Sequence, residues 1–227
     1  MNIRNRWLFT LLCVLLGIGF LSLGFWQWHR YHLALEQERW AAQAAGRPPV
    51  HWSLHLQPYQ RVQLEGVFDD AHTVLWVNRL GPRGQPEAEV YTPFRLREGG
   101  VILVSRGFVA MPLPKGWRPR GQHAYHLVGY WVEPDTRAVT LGPWLLNPRD
   151  PLWQIQRLDK VALSRAWGYP LLPGVVRMLT PREAYVRQTW IIHAMPPARH
   201  LGYAIQWGLM SLAVGVGYGY VRKSMKE

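Results

Sequence analysis

The sequence predicts a membrane protein of the α+β class, in which two transmembrane helices flank an extracytoplasmic, antiparallel, β-rich domain that is barrel-like and carries a small helix. Three observations support this prediction. Apolar runs occupy residues 7–26 and 201–221, a polar segment separates them, and short runs rich in Val, Leu and aromatic residues fill that segment. Each apolar run has about 20 residues, the length of α-helix that crosses a hydrocarbon core of about 30 Å.

The first apolar run, WLFTLLCVLLGIGFLSLGFW, contains no charged residue and is predicted to be a retained membrane anchor over residues 7–28. The apolar core of a cleaved signal peptide has about 7–15 residues and precedes a small-residue cleavage site, whereas this run is longer and leads into bulky FWQWHR. Good helix formers continue to Gly46, where the following RPP ends the helix. The anchor therefore continues as a helical stalk.

The middle segment reads mainly as strands separated by turn-forming sequences such as GPRGQP and REGG. The predicted strands are RVQLEGVF, HTVLWVNRL, AEVYTPFRL, VILVSRGFV, YHLVGYWV and GVVRML. The one helical pattern is RLDKVALSRAWGY, which Gly168 and Pro170 end. Its inward face is predicted to contain Leu158, Val161, Ala162 and Ala166.

Basic residues flank the two apolar runs on the sides away from the middle segment: Arg4, Arg6, Arg222, Lys223 and Lys226. Because short loops rich in Lys and Arg stay in the cytoplasm, both termini are expected there and the middle domain outside. The expected order is an N-terminal tail, a first span, an extracytoplasmic domain with its stalk, a second span and a C-terminal tail. Their ranges are 1–6, 7–28, 29–199, 200–221 and 222–227.

Composition and motifs exclude several classes of function. The only cysteine, Cys13, lies in the first apolar run, so neither a disulfide within the chain nor a Cys-x-x-Cys site can form. Without the five flanking cations and Glu227, 21 positive and 13 negative residues leave a net charge of +8 on the rest of the chain. This charge suits anionic lipid or a carboxylate-bearing ligand, or is simply a solvated basic surface. No Gly-rich phosphate loop, His-Glu-x-x-His or Gly-x-Ser-x-Gly motif is present, so no enzyme is predicted.

The polar residues of the middle segment give no strong site. His72, His123 and His126 lie in or near predicted strands without a second ligand at metal-binding spacing, and they are expected to be surface or packed histidines. Asp69 and Asp70 form a paired carboxylate at a predicted strand end, where a turn-capping role is expected.

The two predicted membrane helices carry complementary surfaces. In the second run, one helical face contains His200, Tyr203, Trp207, Met210 and Val214. An adjoining stripe of small residues contains Ala204, Gly208, Ser211 and Gly215. In the first run, a mostly small ridge contains Cys13, Gly17, Leu21 and Gly24. Because small residues at four-residue spacing let helices approach closely in lipid, the two helices are predicted to pack together.

Such packing would gather polar and aromatic residues at the outer membrane boundary: His29, His32, His200, Trp26, Trp28, Tyr203 and Trp207. One interpretation is an aromatic belt whose histidines extend to the interface. The other is a haem pocket, in which a neutral imidazole ligates iron, aromatic rings pack the macrocycle, and Arg30 or Arg199 pairs with the propionates.

At these residues the sequence resembles a known family. HLGYAIQW at 200–207 is similar to the His-x-x-Tyr-Ala-x-x-Trp signature of the Surfeit locus protein 1 family, and GFWQWHR at 24–30 to its Gly-x-Trp-Gln-x-x-Arg. VNRLG, VYTPF and VILVSRGFV within 77–109, and NPRDPLWQIQRLD at 147–159, resemble its middle blocks. The chain departs from the family pattern at Gly208, where Phe is common, at Ser105, where Asn is frequent, and in lacking a stalk lysine.

The resemblance implies an assembly factor for haem-copper cytochrome c oxidase, one that binds haem a transiently and aids its insertion into the catalytic subunit. His200 is then the candidate axial ligand of the haem iron. The other candidate cofactor-binding residues are Tyr203, Trp207, Trp26, Arg30 and His29. The implied partners are the oxidase catalytic subunit, the haem a synthesis machinery and the lipid bilayer, with no nucleic acid.

The absence of an Arg- and Ser-rich presequence favours a bacterial plasma membrane, with a multi-pass topology and both termini in the cytoplasm. Two alternatives stay open. One is a haem-free membrane scaffold for assembly of the oxidase subunit. The other is an anchored extracytoplasmic domain that binds a ligand or acts as a sensor.

Overall fold

A computed structural model describes residues 3–81, 84–117, 119, 124–134, 143–147, 149–182, 186–188 and 195–224. The chain divides into two compact units, the first formed by Met1–Trp40 with Ile191–Glu227 and the second by Ala41–Trp190. The helices are α1 (Ile3–Gly46), α2 (Lys160–Trp167) and α3 (Pro197–Ser224). The strands are β1 (Val50–His51), β2 (Arg61–Phe68), β3 (Val74–Leu80), β4 (Pro86–Leu96), β5 (Val101–Ala110), β6 (Ala124–Val132), β7 (Trp153–Ile155) and β8 (Val175–Thr180).

Helix α1 is unbroken over 44 residues and ends at Gly46, where the sequence places the end of the stalk. Among the helices of the described residues, the segment Arg4–Gly46 alone is long and apolar enough to cross a membrane. Helix α3 has 28 residues, but His200, Gln206 and several Gly and Tyr residues interrupt its apolar character. One membrane helix is therefore supported, and the second span stays a prediction.

The second unit contains a mixed sheet of eight strands in the order β1-β2-β6-β8-β5-β4-β3-β7. The prediction of an antiparallel sheet is wrong, because β1 pairs with β2, β3 with β7 and β5 with β8 in parallel. Strand β8 follows α2, and that long connection lets it return between β5 and β6, parallel to one and antiparallel to the other. Strand β2 also pairs with β4, which makes a closed circuit of five strands; the barrel itself stays a prediction.

The core of the second unit lies on both faces of the central strands, since β4 and β5 are buried along nearly their whole length. Phe94 and Ile102 pack into one cluster, whereas Tyr91 and Leu103 pack into another. The second cluster also contains Leu158, Leu163 and Trp167. Helix α2 therefore covers one face of the sheet.

The predicted inward face of α2 is partly wrong, because Val161 is exposed whereas Leu163 and Trp167 are buried. The reason is where the helix begins. Asp159 is its N-cap and accepts a hydrogen bond from the Ala162 N–H at 2.9 Å, so Leu158 precedes the helix and does not set its periodicity. The helix ends at Gly168 in the left-handed conformation (φ 76°), as the sequence predicts.

A β-bulge explains the Arg-Gly pair in VILVSRGFV. Val90 pairs with Gly107 and Tyr91 with Ser105, which leaves Arg106 as the extra residue of β5. Gly107 has φ 131°, and a Cβ there would lie 2.5 Å from the Val186 Cγ1 atom, so only glycine fits. The bulge directs the fully buried Arg106 guanidinium to the Asp70 carboxylate, at 2.7 Å.

Candidate functional site

The first unit is a pair of packed helices, α1 and α3. Buried or half-buried residues recur along α1 at steps of three or four: Cys13, Gly17, Phe20, Gly24 and Gln27. The matching residues of α3 are His200, Ala204, Trp207, Ser211, Val214 and Tyr218. The Ser211 hydroxyl donates to the Gly17 carbonyl at 3.1 Å, which joins the two surfaces through a polar contact.

Gly24 is a point of close approach between the two helices. A Cβ at Gly24 would lie 3.5 Å from the Ala204 carbonyl oxygen and 3.7 Å from the Trp207 Cβ. The predicted ridge is correct for Gly17 and Gly24 but wrong for Leu21, which is exposed. Phe20 takes that place, because the contact face follows steps of three and four rather than four alone.

The predicted small stripe of α3 is also only partly correct. Ala204, Gly208 and Ser211 are half-buried, and Ala204 and Ser211 contact α1. Gly215 is exposed, and no atom lies within 4 Å of a Cβ built there. Gly215 is therefore outside the helix contact.

The contact contains one buried polar pair. The Nδ1 atom of His200 lies 2.8 Å from the amide oxygen Oε1 of Gln27. The two residues are only 8% and 9% exposed. An amide oxygen can only accept, so the His200 Nδ1–H donates this bond and the neutral ring carries its lone pair on Nε2. That nitrogen is the one that can coordinate a metal.

The structure brings His200 and Trp207 onto the same contact surface. The Trp207 ring stacks on Phe20, with ring centroids 5.7 Å apart and an interplanar angle of 23°. Tyr203 is 42% exposed and lies off this surface. Three residues turn an α-helix through about 300°, so Tyr203 falls about 60° short of the direction of His200 and lies on the other side of it from Ala204.

The candidate residues of α1 are not gathered around His200. Trp26 is 55% exposed, and His29 and Arg30 are exposed as well. Helical spacing places Trp26 and His29 away from the face that carries Gln27, whereas Arg30, three residues after Gln27, is exposed at the edge of that face. His32 packs edge-on against Trp28 at 4.9 Å between ring centroids, on the same helix. No second histidine therefore joins His200 among the described residues of this helix pair.

An apolar groove runs along one side of the helix pair, with a volume of about 340 Å³. Its lining residues are Leu21, Gly24, Phe25, Trp28, Ala204, Ile205 and Gly208. Gly208, which departs from the family pattern, helps to keep this groove open, since a Phe there would occupy it. The α3 residues that line the groove lie about one to two helical turns beyond His200 along the chain.

These residues fit a haem group in part. A neutral imidazole with Nδ1 already bonded is the usual form of a metal-ligating histidine, and the groove offers apolar surface to a flat ring. Arg199 and Arg30 are exposed cations that lie close along their helices to His200 and Gln27. The candidate site therefore offers iron one imidazole ligand, and it offers the macrocycle an apolar groove.

In the second unit, Asp69 is the centre of a cluster of polar side chains. The predicted turn-capping role of Asp69 is wrong, because its side chain makes no cap bond to the turn that follows. Asp69 instead accepts from His72 at 3.0 Å and Arg95 at 2.7 Å, and Tyr169 donates to it at 3.4 Å. His126 is a surface histidine, and His123 lies outside the described residues.

Electrostatics within this cluster favour the ionised carboxylate. Burial alone would raise the pKa of Asp69, but hydrogen bonds and charges from His72 and Arg95 outweigh it and hold that pKa below its usual range. Burial, with the neighbouring Asp69 charge, raises the pKa of the Tyr169 hydroxyl. The cluster links Arg95 of β4 to Tyr169, which follows α2, through Asp69. Stabilisation of the fold is enough to account for these contacts.

Gln27 is the contact residue of His200 that the sequence analysis missed. It stands within the GFWQWHR motif but was not among the candidate ligand contacts. The signal that would have found it is spacing, since Gln27 follows Gly17, Phe20 and Gly24 by steps of three and four.

The profile of the SURF1 family matches residues 14–212 of the chain. The matched range includes most of α1, the whole second unit and α3 as far as Leu212. Gln27, His200 and Trp207 therefore all lie within it. A search of curated proteins gave no significant match.

Proposed function

The chain belongs to the SURF1 family, and we propose that it serves cytochrome oxidase assembly by binding haem a at His200 and handing it to the oxidase catalytic subunit. The family is membrane-associated, is linked to assembly of cytochrome oxidase, and consists of assembly factors rather than enzymes. The proposed activity is accordingly binding, protection and transfer of a cofactor, with no reaction catalysed. The further partner in this proposal is the haem a synthesis machinery.

The observation that carries the proposal is the buried hydrogen bond between His200 and Gln27. An interfacial belt histidine needs only water or lipid headgroups, whereas this ring is held between two helices by a specific acceptor. A polar pair in an apolar helix contact is costly unless it is satisfied, and polar residues at such positions commonly mark function. Bound haem would supply an iron that the His200 Nε2 could ligate.

Trp207 is proposed to support the site by packing and not by coordination, since its ring stacks on Phe20 about two helical turns along α3 from His200. The apolar groove along the pair of helices α1 and α3 is proposed to receive one face of the macrocycle. The geometry gives no added support to Tyr203, Trp26, Arg30 or His29, which are exposed. They stay proposed outer contacts, and the proposal rests on His200 and Trp207.

The proposed setting is a bacterial plasma membrane crossed by both α1 and α3. Basic residues at both ends support cytoplasmic termini, and the second unit would then lie outside the cytoplasm. This topology places His200 and Gln27 at the outer boundary of the bilayer, a position that suits a ligand with an apolar body and a charged edge.

The test is to purify the full chain in detergent from cells that synthesise haem a and to record its visible spectrum. Co-purified haem a, seen by its Soret and α bands, supports the proposal. Protein that is haem-free but retains the oxidase catalytic subunit contradicts haem binding and favours the scaffold. Protein that retains neither favours the anchored ligand-binding or sensor domain.

A further inference from the structure

We infer that Gln27 is a positioning residue for His200, which fixes the imidazole as the Nδ1–H tautomer and so leaves Nε2 free to ligate iron. This inference rests on the proposed function, because it concerns the ligand that the function requires. Its structural basis is the 2.8 Å contact between the His200 Nδ1 and the Gln27 Oε1 atoms.

Because His200 and Gln27 are buried, the hydrogen bond between them determines the tautomer of the His200 ring. Both residues are less than a tenth exposed and lie between two packed helices. Water is therefore a poor substitute for the amide, and the ring takes the tautomer that the amide dictates. One helical turn away, the missing side chain of Gly24 permits the close helix approach that brings the amide within reach.

The orientation of the Gln27 amide has a chemical consequence. With its oxygen toward His200, the ring nitrogen Nδ1 keeps the proton and Nε2 presents a lone pair. With its nitrogen toward His200, the amide would donate to Nδ1, and the neutral ring would carry its proton on Nε2, where iron would have to bind. The orientation of the Gln27 amide thus decides whether Nε2 has a lone pair for iron or is blocked by a proton.

A purely structural role for Gln27 would be to hold the two helices together. Ser211 provides the matched comparison, because its hydroxyl also joins α3 to α1, through the Gly17 carbonyl, without contacting His200. Removing the hydroxyl in Ser211→Ala deletes an interhelical hydrogen bond and leaves the ring alone. Gln27→Glu keeps an acceptor oxygen beside Nδ1 and serves as the conservative replacement.

The experiment uses the full chain in detergent, free of haem and labelled with ¹⁵N in histidine. Ring nitrogen shifts are measured for the wild type, Gln27→Leu, Gln27→Glu and Ser211→Ala, and haem a is then titrated into each. We expect the wild type, Gln27→Glu and Ser211→Ala to carry the proton on Nδ1. We expect Gln27→Leu to shift toward the other tautomer and to bind haem about 10–100-fold more weakly, the usual cost of removing a partner of a metal-bound histidine.

Two results would overturn the inference. One is a wild-type His200 protonated on Nε2 in the haem-free protein, which contradicts Gln27 positioning whether or not haem binds. The other is Gln27→Leu with the same ring signals and haem affinity as Ser211→Ala. Failure of the proposed function is recognised separately, since haem retained unchanged by His200→Ala would show that His200 is not the ligand at all.

Discussion

The His200 ring and the Gln27 amide meet at 2.8 Å although 173 residues of chain separate them. The pair exists only when α1 and α3 pack together, because each helix supplies one partner. Changes that push the helices apart should therefore damage the site even where they touch neither residue.

Replacing Gly24 with Leu tests this dependence. A side chain at Gly24 begins 3.5 Å from the Ala204 carbonyl, so a larger one forces the helices apart at a cost of about 1–3 kcal/mol. We expect Gly24→Leu to insert normally but to retain much less haem after purification. Gly19→Leu is the control, because nothing lies within 4 Å of a Cβ there. Equal haem retention by the two variants would show that the contact is incidental.

Replacing Trp207 with Leu removes the stack on Phe20 but not the ligand. Such an aromatic pair contributes about 0.5–1.5 kcal/mol beyond its buried area. We expect haem affinity to fall by a comparable free energy, and therefore by less than on loss of His200. Phe20→Leu, which breaks the same stack from α1, should behave alike. A Trp207→Leu protein as deficient as His200→Ala would mean that Trp207 does more than pack.

The stability of the second unit should fall in acid through Asp69. The folded state lowers the pKa of this carboxyl, so its stabilising contribution is present above the unfolded value of about 4 and is lost as pH falls through the lower folded value. We expect Asp69→Asn to lose about 1–3 kcal/mol at neutral pH and to show a shallower acid decline. Urea unfolding of the full chain, followed by near-ultraviolet circular dichroism, measures both.

The comparison for Asp69 is Glu65→Gln, which breaks the more exposed ion pair with Arg97. Exposed pairs contribute little, so this variant should unfold like the wild type. An Asp69→Asn protein with the same stability and acid slope as Glu65→Gln would contradict the role of the Asp69 cluster.

Lys160 should produce a pH dependence of the same sign in the alkaline range. Burial lowers the pKa of its ammonium to about 8, while it donates to the Leu172 and Gly174 carbonyls. The unfolded chain then binds more protons between about pH 8 and the unperturbed value of about 10.4, so this residue's contribution rises with pH in that window. We expect the stability difference between wild type and Lys160→Met to shift in favour of the wild type across it. A difference that is constant with pH would contradict the buried charge.

Much of the second unit could be predicted from sequence. Strands β2, β4 and β5 stand where Val, Leu and aromatic residues cluster, and α2 ends at the predicted Gly168. Pairing direction was not accessible, because the insertion of β8 beside β5 depends on a contact between distant segments. Strands β1 and β7 have only two and three residues, too few for a period of two to show.

The sequence singled out the candidate ligand His200 but not Gln27, the residue that contacts it. The helical signature singled out His200 and Trp207, and spacing singled out Gly17 and Gly24. Predicting the contact between Gln27 and His200 requires the register of α1 against α3. The stripes of small residues indicate that register only to within one helical turn. The same uncertainty in register placed Tyr203 on the contact face and included Gly215, which the structure leaves exposed.

The most direct test of the central claim is the visible spectrum of His200→Ala beside His126→Ala, both purified from cells that synthesise haem a. His126 is an exposed histidine of the second unit, so its replacement controls for loss of a histidine as such. The account predicts that His126→Ala keeps the haem a bands of the wild type and that His200→Ala loses them or retains far less haem. An unchanged spectrum at equal haem occupancy in His200→Ala would contradict it.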